Sequence, residues 1–172
     1  MIIEVCSQNR ALEEVTNMQQ GELVSVISIV SSDEKDVEFD CKENLCGVLH
    51  LKFNDLEKEY DEEGIPYGRP LPKSKDLYGL KEFVVRLNCD RLIVHCYEGT
   101  SRSAAVASAI WKFRGGSDTI LTHQRFAPNR LVYILACKEL GITPGNHPVP
   151  VIRSRLLKGA RSHRRSCEVY SQ

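Results

Sequence analysis

The sequence predicts an α/β fold with a sheet that is at least partly parallel. Three observations carry that prediction. Short runs rich in β-branched and apolar residues alternate with segments of helical character. Some of those runs are apolar almost without interruption, as expected of strands buried on both faces. One of them, "RLIVHC", passes through a short polar loop straight into an alanine-rich helix, "SRSAAVASAIWKFRGG".

The elements follow in chain order. "MIIEV" reads as a short first strand and "QNRALEEVTNM" as a helix with Ala11, Leu12 and Val15 on one face. "ELVSVISIV" is a buried strand, and the acidic "SSDEKDVEFDCKEN" is a surface connection. "CGVLHLKF" is the third strand, followed by a loop-like stretch of glycines, prolines and acids. "KDLYGLKEFVVRLN" is expected to be one helix, with Asp76 at its start, where a carboxylate complements the helix dipole. After the fourth strand, "RLIVHC", and its helix, two further helices are expected in "SDTILTHQRF" and "PNRLVYILACKELG". Ser117 serves as a cap, and Pro128 sits in a first helical turn. No internal repeat is visible.

The bulk properties narrow the function. The chain has 172 residues, enough for one compact core, and 23 basic residues balance 23 acidic ones. That balance does not point to nucleic acid. No run is apolar and long enough to span a membrane, and "MIIEVCSQNR" lacks the features of a signal peptide, so a cytoplasmic protein is expected. The seven cysteines form no disulfide framework, and Cys41 with Cys46 lacks a second pair for zinc. No metal and no cofactor is expected. The segment 33–63 holds twelve acids and four lysines, whereas 148–172 holds six Lys/Arg and one Glu. Residues 1–147 are expected to form the domain, and 148–172 a basic, solvated tail without strand or helix periodicity.

The chemistry concentrates in "LIVHCYEGTSRSAAVASAI". A strand–loop–helix turn gathers backbone N–H groups around a hollow capped by a helix N-terminus, which suits an anion. A cysteine thiolate is stabilised there and becomes nucleophilic. Of the seven cysteines, only Cys96 has an arginine six positions on, Arg102, whose planar fork matches two phosphate oxygens. Gly99 allows the positive φ of a tight loop. Ser103 can donate its hydroxyl to the sulfur, and His95 can orient the loop from behind. Tyr97, Glu98, Gly99, Thr100 and Ser101 contribute the backbone N–H groups of a substrate-binding cradle, together with Arg102.

"VHCYEGTSRS" resembles the His-Cys-x5-Arg-Ser signature of cysteine-dependent protein tyrosine and dual-specificity phosphatases. A looser resemblance over residues 1–142, through "IEVC", "VSVISI", "LHLKFND" and "APNRLV", is to small predicted tyrosine phosphatases. The resemblance implies a central, mainly parallel sheet of four or five strands flanked by helices, with the phosphate-binding loop between the last central strand and a helix. It also implies a metal-independent, two-step hydrolysis of a phosphorylated protein. Cys96 would form a cysteinyl-phosphate, and an aspartic acid would protonate the leaving oxygen and then activate water.

Asp55, at the end of "LHLKF", is the favoured acid, although its spacing of 41 residues from Cys96 is long for the family. Asp61 is the alternative; it lies nearer but in an acidic run with no strand leading into it. Asn129 in "APNRLV" either supports the loop from a neighbouring helix or caps its own. Trp111 reads as core. Phosphotyrosine is the expected substrate, joined by phosphoserine and phosphothreonine if the pocket is shallow. The loop has no lysine of the kind common in phosphoinositide phosphatases, and Ser103-Ala104 replaces the Thr-Gly common in RNA triphosphatases. The competing readings are a phosphatase for such a non-protein substrate, a non-catalytic phosphate-binding module, and a scaffold acting through the basic tail.

Overall fold

The computed structural model describes residues 1–40, 42–116, 125–145 and 168–171. At its centre is a five-stranded sheet formed by β1 (Ile2–Ser7), β2 (Val24–Val30), β3 (Leu45–Lys52), β4 (Arg91–Cys96) and β5 (Glu168–Ser171). The strand order is β3-β2-β4-β1-β5. The first four strands are parallel, and β5 lies antiparallel against β1. The fold is therefore α/β, as the alternation of strand and helix segments predicts.

Composition explains the strand order. β2 and β4 hold interior positions, and every residue of β2 and all but Arg91 of β4 are buried. Among the described strands β3 lies at the edge of the sheet, and only its Leu51 is fully buried. Alternate residues feed two cores. Cys6, Val24, Val26 and Ile93 meet Ala11 and Val15 of helix α1 (Gln8–Thr16) on one face. Ile3, Val5, Ile27, Ile29, Leu92 and Val94 meet helices α2 (Leu80–Arg86), α3 (Arg102–Phe113) and α4 (Arg130–Leu140) on the other. The small side chains of "SAAVASA" in α3 are all buried, so this helix packs close against both the sheet and α4.

Three local expectations change. "KDLYGLKEFVVRLN" is not one helix: a single 3₁₀ turn, Ser74–Leu77, is separated from α2 by Gly79 at φ +86°, a left-handed conformation that a continuous helix excludes. Pro128 lies outside the last helix, because Asn129 is its cap and accepts the Val132 N–H at 3.0 Å. Asp76 does cap the start of its turn, accepting the Lys73 N–H at 2.8 Å. The expected 148–172 tail contributes β5, whose four residues are too few to show a period but satisfy the open hydrogen-bonding edge of β1. The helix expected in "SDTILTHQRF" with its cap Ser117, the first cysteine of the Cys41–Cys46 pair, and most of the basic tail lie outside the described residues. Trp111 packs against the main core. Among the described residues no helix is long and apolar enough to cross a membrane.

Candidate active site around Cys96

Parallel strands deliver their C-terminal ends to one rim of the sheet, where α/β folds place their ligands. Here β1 ends at Ser7, β2 leads to Ser31, β3 leads to Phe53, Asn54 and Asp55, and β4 ends at Cys96. The loop 97–101 then curls into α3.

The loop is shaped by where its carbonyls go. The Tyr97 carbonyl accepts from the Gln8 N–H at 3.3 Å, the Thr100 carbonyl from Ala127 at 3.0 Å, and the Ser101 carbonyl from Ala105 at 3.0 Å. Among the described residues, by contrast, none of the N–H groups of Tyr97–Ser101 donates to a protein acceptor. Gly99 is required twice over. Its φ is +73°, and a Cβ there would lie 2.3 Å from the carbonyl carbon of Cys6 and 2.5 Å from the Ser7 nitrogen. The loop is thus seated directly on the β1–α1 junction.

Cys96 is buried, with Sγ 3.2 Å from the Ser103 hydroxyl. A hydroxyl at that distance can donate to a thiolate. Arg102, in the first turn of α3, is only 5% exposed. Its Nη1 donates to the Phe53 carbonyl at 3.1 Å and to the Ser31 hydroxyl at 3.3 Å, while Nε is buried without a partner. Among the described residues no carboxylate pairs with it. The contrast with Arg91 is informative: that guanidinium meets Glu4 at 2.9 Å, Glu14 at 2.6 Å and Glu22 at 2.9 Å. A buried cation needs a compensating anion. Arg91 finds three within the protein, whereas Arg102 has only neutral groups.

Asp55 is brought to the loop from 46 residues away. Its Oδ1 accepts from the Ser101 hydroxyl at 2.7 Å and from Asn129 Nδ2 at 2.8 Å. Asn129 therefore does two things: Oδ1 caps α4, and Nδ2 holds Asp55 and the Leu56 carbonyl. Asp61 is placed differently. Its Oδ1 accepts the N–H groups of Glu63 and Ile65 at 3.0 and 2.7 Å, so its carboxylate closes its own turn.

His95 lies behind the loop. Its strand neighbours are Cys6 and Ser28, and Phe39 meets its ring edge-on at 5.7 Å. Neither ring nitrogen has a partner of hydrogen-bond geometry. Burial pushes its pKa down to about 4; His50 and Arg102 add to the lowering, and the Cys96 backbone opposes it. Any support it gives the loop therefore comes from packing a neutral ring. Tyr97 and Glu98 are exposed at the rim, Thr100 is half-buried, and Ser101 spends its hydroxyl on Asp55.

Sequence reasoning misses the partners of Arg102 and the clamp at Asn54. Asn54 is 3% exposed; it accepts from the Ser32 N–H and hydroxyl at 3.4 and 3.2 Å and donates to the Pro70 carbonyl at 3.1 Å. The available signal was positional, since Ser31 and Asn54 each follow the C-terminal end of a parallel strand. No protein-family model matches the chain, and no curated protein matches it.

Proposed function

We propose that the chain is a cysteine-dependent phosphatase acting on phosphotyrosine in proteins. The observation that carries this reading is the set of unspent donors around Cys96: the loop N–H groups and the Nε of a buried arginine with no carboxylate partner among the described residues. A phosphate dianion would satisfy all of them at once.

The reaction follows from these positions. The Cys96 sulfur attacks phosphorus, a P–S bond forms, and the bond to the leaving oxygen breaks. Asp55 gives that oxygen its proton. Ser101 and Asn129 hold its carboxyl group in place through Oδ1. Water then attacks phosphorus, Asp55 takes a proton from it, and the P–S bond breaks to release phosphate and regenerate the thiolate, which the Ser103 hydroxyl stabilises. Arg102 and the loop N–H groups hold the charge of the transferring phosphoryl group throughout. The acidic side chain of Glu98 and the lack of a lysine in the loop favour a phosphoprotein over a polyphosphorylated headgroup.

The test is turnover of para-nitrophenyl phosphate by the wild-type and Cys96→Ser chains, with vanadate binding measured in both. The expected result is vanadate-sensitive turnover in the wild type, none in the serine variant, and retained oxyanion binding in each. Turnover by Cys96→Ser overturns the covalent route, and a wild type that binds vanadate without turnover overturns the catalytic reading.

A further inference from the structure

Beside the Cys96 site lies a second cavity of about 210 Å³, lined by Lys52, Phe53, Asn54, Pro70, Lys73 and Lys75 among others. We propose that it is a subsite for an acidic side chain of the substrate, selecting phosphotyrosine sequences that carry Asp or Glu two or three residues away. The proposal rests on the phosphatase reading and names the substrate class within it.

The position of the cavity follows from its wall. Phe53 gives its carbonyl to Arg102, and Asn54 directly precedes Asp55. The cavity therefore backs onto the strip of chain that joins the two polar groups assigned to the reaction. Phe53 and Asp55 are two residues apart, at most about 7 Å along the backbone. An extended peptide bound at Cys96 covers that distance within two or three residues.

The wall is fixed. The clamp at Asn54 ties the end of β3 to Ser32 on one side and to Pro70 on the other, so the proline-rich strip that closes the cavity is held in place. The volume holds about seven waters at about 30 Å³ each, ample for a carboxylate side chain.

Charge gives the specificity. Lys52 is paired with Asp36 at 3.3 Å, an exposed contact that contributes little. Lys73 and Lys75 have no ion pair among the described residues. Asp76 also lines the cavity, but its Oδ2 is committed to the Lys73 N–H at 2.8 Å. Three lysines, two of them without an ion pair among the described residues, thus line the hollow against the single carboxylate of Asp76, so the charge of the lining is net positive.

The experiment compares phosphotyrosine peptides carrying Glu at positions two and three on either side of the phosphotyrosine with the same peptides carrying Gln. Affinities are read by fluorescence anisotropy on the Cys96→Ser chain, with and without Lys73→Glu and Lys75→Glu, and kcat/KM on the chain with Cys96 intact. Both lysines are exposed, so the charge-reversed chain is expected to fold, and its melting curve checks this. The Glu peptide on one side should be preferred on the order of tenfold at low salt, the preference shrinking as salt rises. The double variant should lose or reverse that ratio. Equal binding of Glu and Gln peptides, or a ratio that survives charge reversal, overturns the subsite. So does equal peptide binding accompanied by lysine-dependent binding to vesicles containing phosphatidylinositol phosphates, which assigns the cavity to a lipid headgroup. A lysine-dependent Glu preference in a chain without turnover leaves the subsite standing and removes the catalytic reading alone.

Discussion

Gly99→Ala is the sharpest test of how the loop is held. The added methyl would run into the Cys6–Ser7 peptide group, at 2.3 Å from the carbonyl carbon of Cys6, 2.5 Å from its oxygen and 2.5 Å from the Ser7 nitrogen. No side chain can swing aside. Reaching ordinary contact at 3.4 Å needs a shift of 1.1 Å, the difference between 3.4 and 2.3 Å. β1 cannot supply it, because its pairing with β4 is fixed along six residues. The loop must move instead. A misplacement of about 1 Å at reacting groups costs about a hundredfold in rate. Overpacking adds about 1–3 kcal/mol, and the left-handed backbone about 1–2 kcal/mol. Together they correspond to a fall in Tm of roughly 5–15 °C for a chain of this size. The assays are kcat/KM for para-nitrophenyl phosphate and a thermal melt. Gly64→Ala is the control: it shares a positive φ of +81° but has nothing within 4 Å of its added methyl, so it should lose only the about 1–2 kcal/mol of the left-handed backbone and keep its kinetics. A Gly99→Ala chain with wild-type turnover and melting temperature refutes the reasoning.

Two further predictions follow from the acid and from the buried imidazole. Asp55→Asn should lower kcat/KM by on the order of 10²–10⁴-fold for a phosphotyrosine peptide and far less for a substrate with an activated leaving group, which needs little protonation. Asp61→Asn keeps the oxygen that accepts from Glu63 and Ile65 and should change neither rate; the opposite pattern in steady-state kinetics would move the acid to residue 61. His95, neutral in the fold, has its pKa lowered to about 4 from 6.5. Between those values the unfolded chain binds the extra proton, so the stability from keeping this ring neutral is complete above pH 6.5 and is lost as pH falls towards 4. The loss is about 3 kcal/mol at 1.36 kcal/mol per unit. Urea unfolding at a series of pH values should show the wild type losing about that much more than His95→Asn over this range; parallel curves would mean that the imidazole is not held neutral.

The strands and the chemistry loop were legible because each is a local pattern. "VSVISIV" is a near-continuous apolar run rich in β-branched residues, and it becomes the fully buried β2. "RLIVHC" matches β4 residue for residue. Asp55 could be ranked above Asp61 because a strand led into it, yet its hydrogen bonds to Ser101 and Asn129 join three distant segments, and no local spacing encodes that. The anchors of Arg102 were hidden for the same reason, one being a main-chain carbonyl, which any residue at position 53 would supply. The break at Gly79 was missed because the flanking apolar positions keep a helical period across a glycine that the backbone takes left-handed. Asn129 was legible as a cap but not as the second holder of Asp55, since a single amide serving two ends of itself leaves only one of them visible in sequence.

The place of β1 in the sheet bears on how the protein is made. β1 emerges first, but its neighbours are β4 and β5, both encoded far downstream, with Ile2 opposite Arg91. At about 5–20 residues per second of synthesis, the 89 residues between those partners take about 4–18 seconds. During that time a strand bearing Ile3 and Val5 has no edge to join, and β2 can pair only with β3. Non-local parallel pairing of this kind folds slowly, because a long loop must close before any contact rewards it. The hollow beneath Gly99 needs the end of β1 as its floor, so the loop cannot take its shape on the nascent chain until β4 has emerged and the first strand has found it.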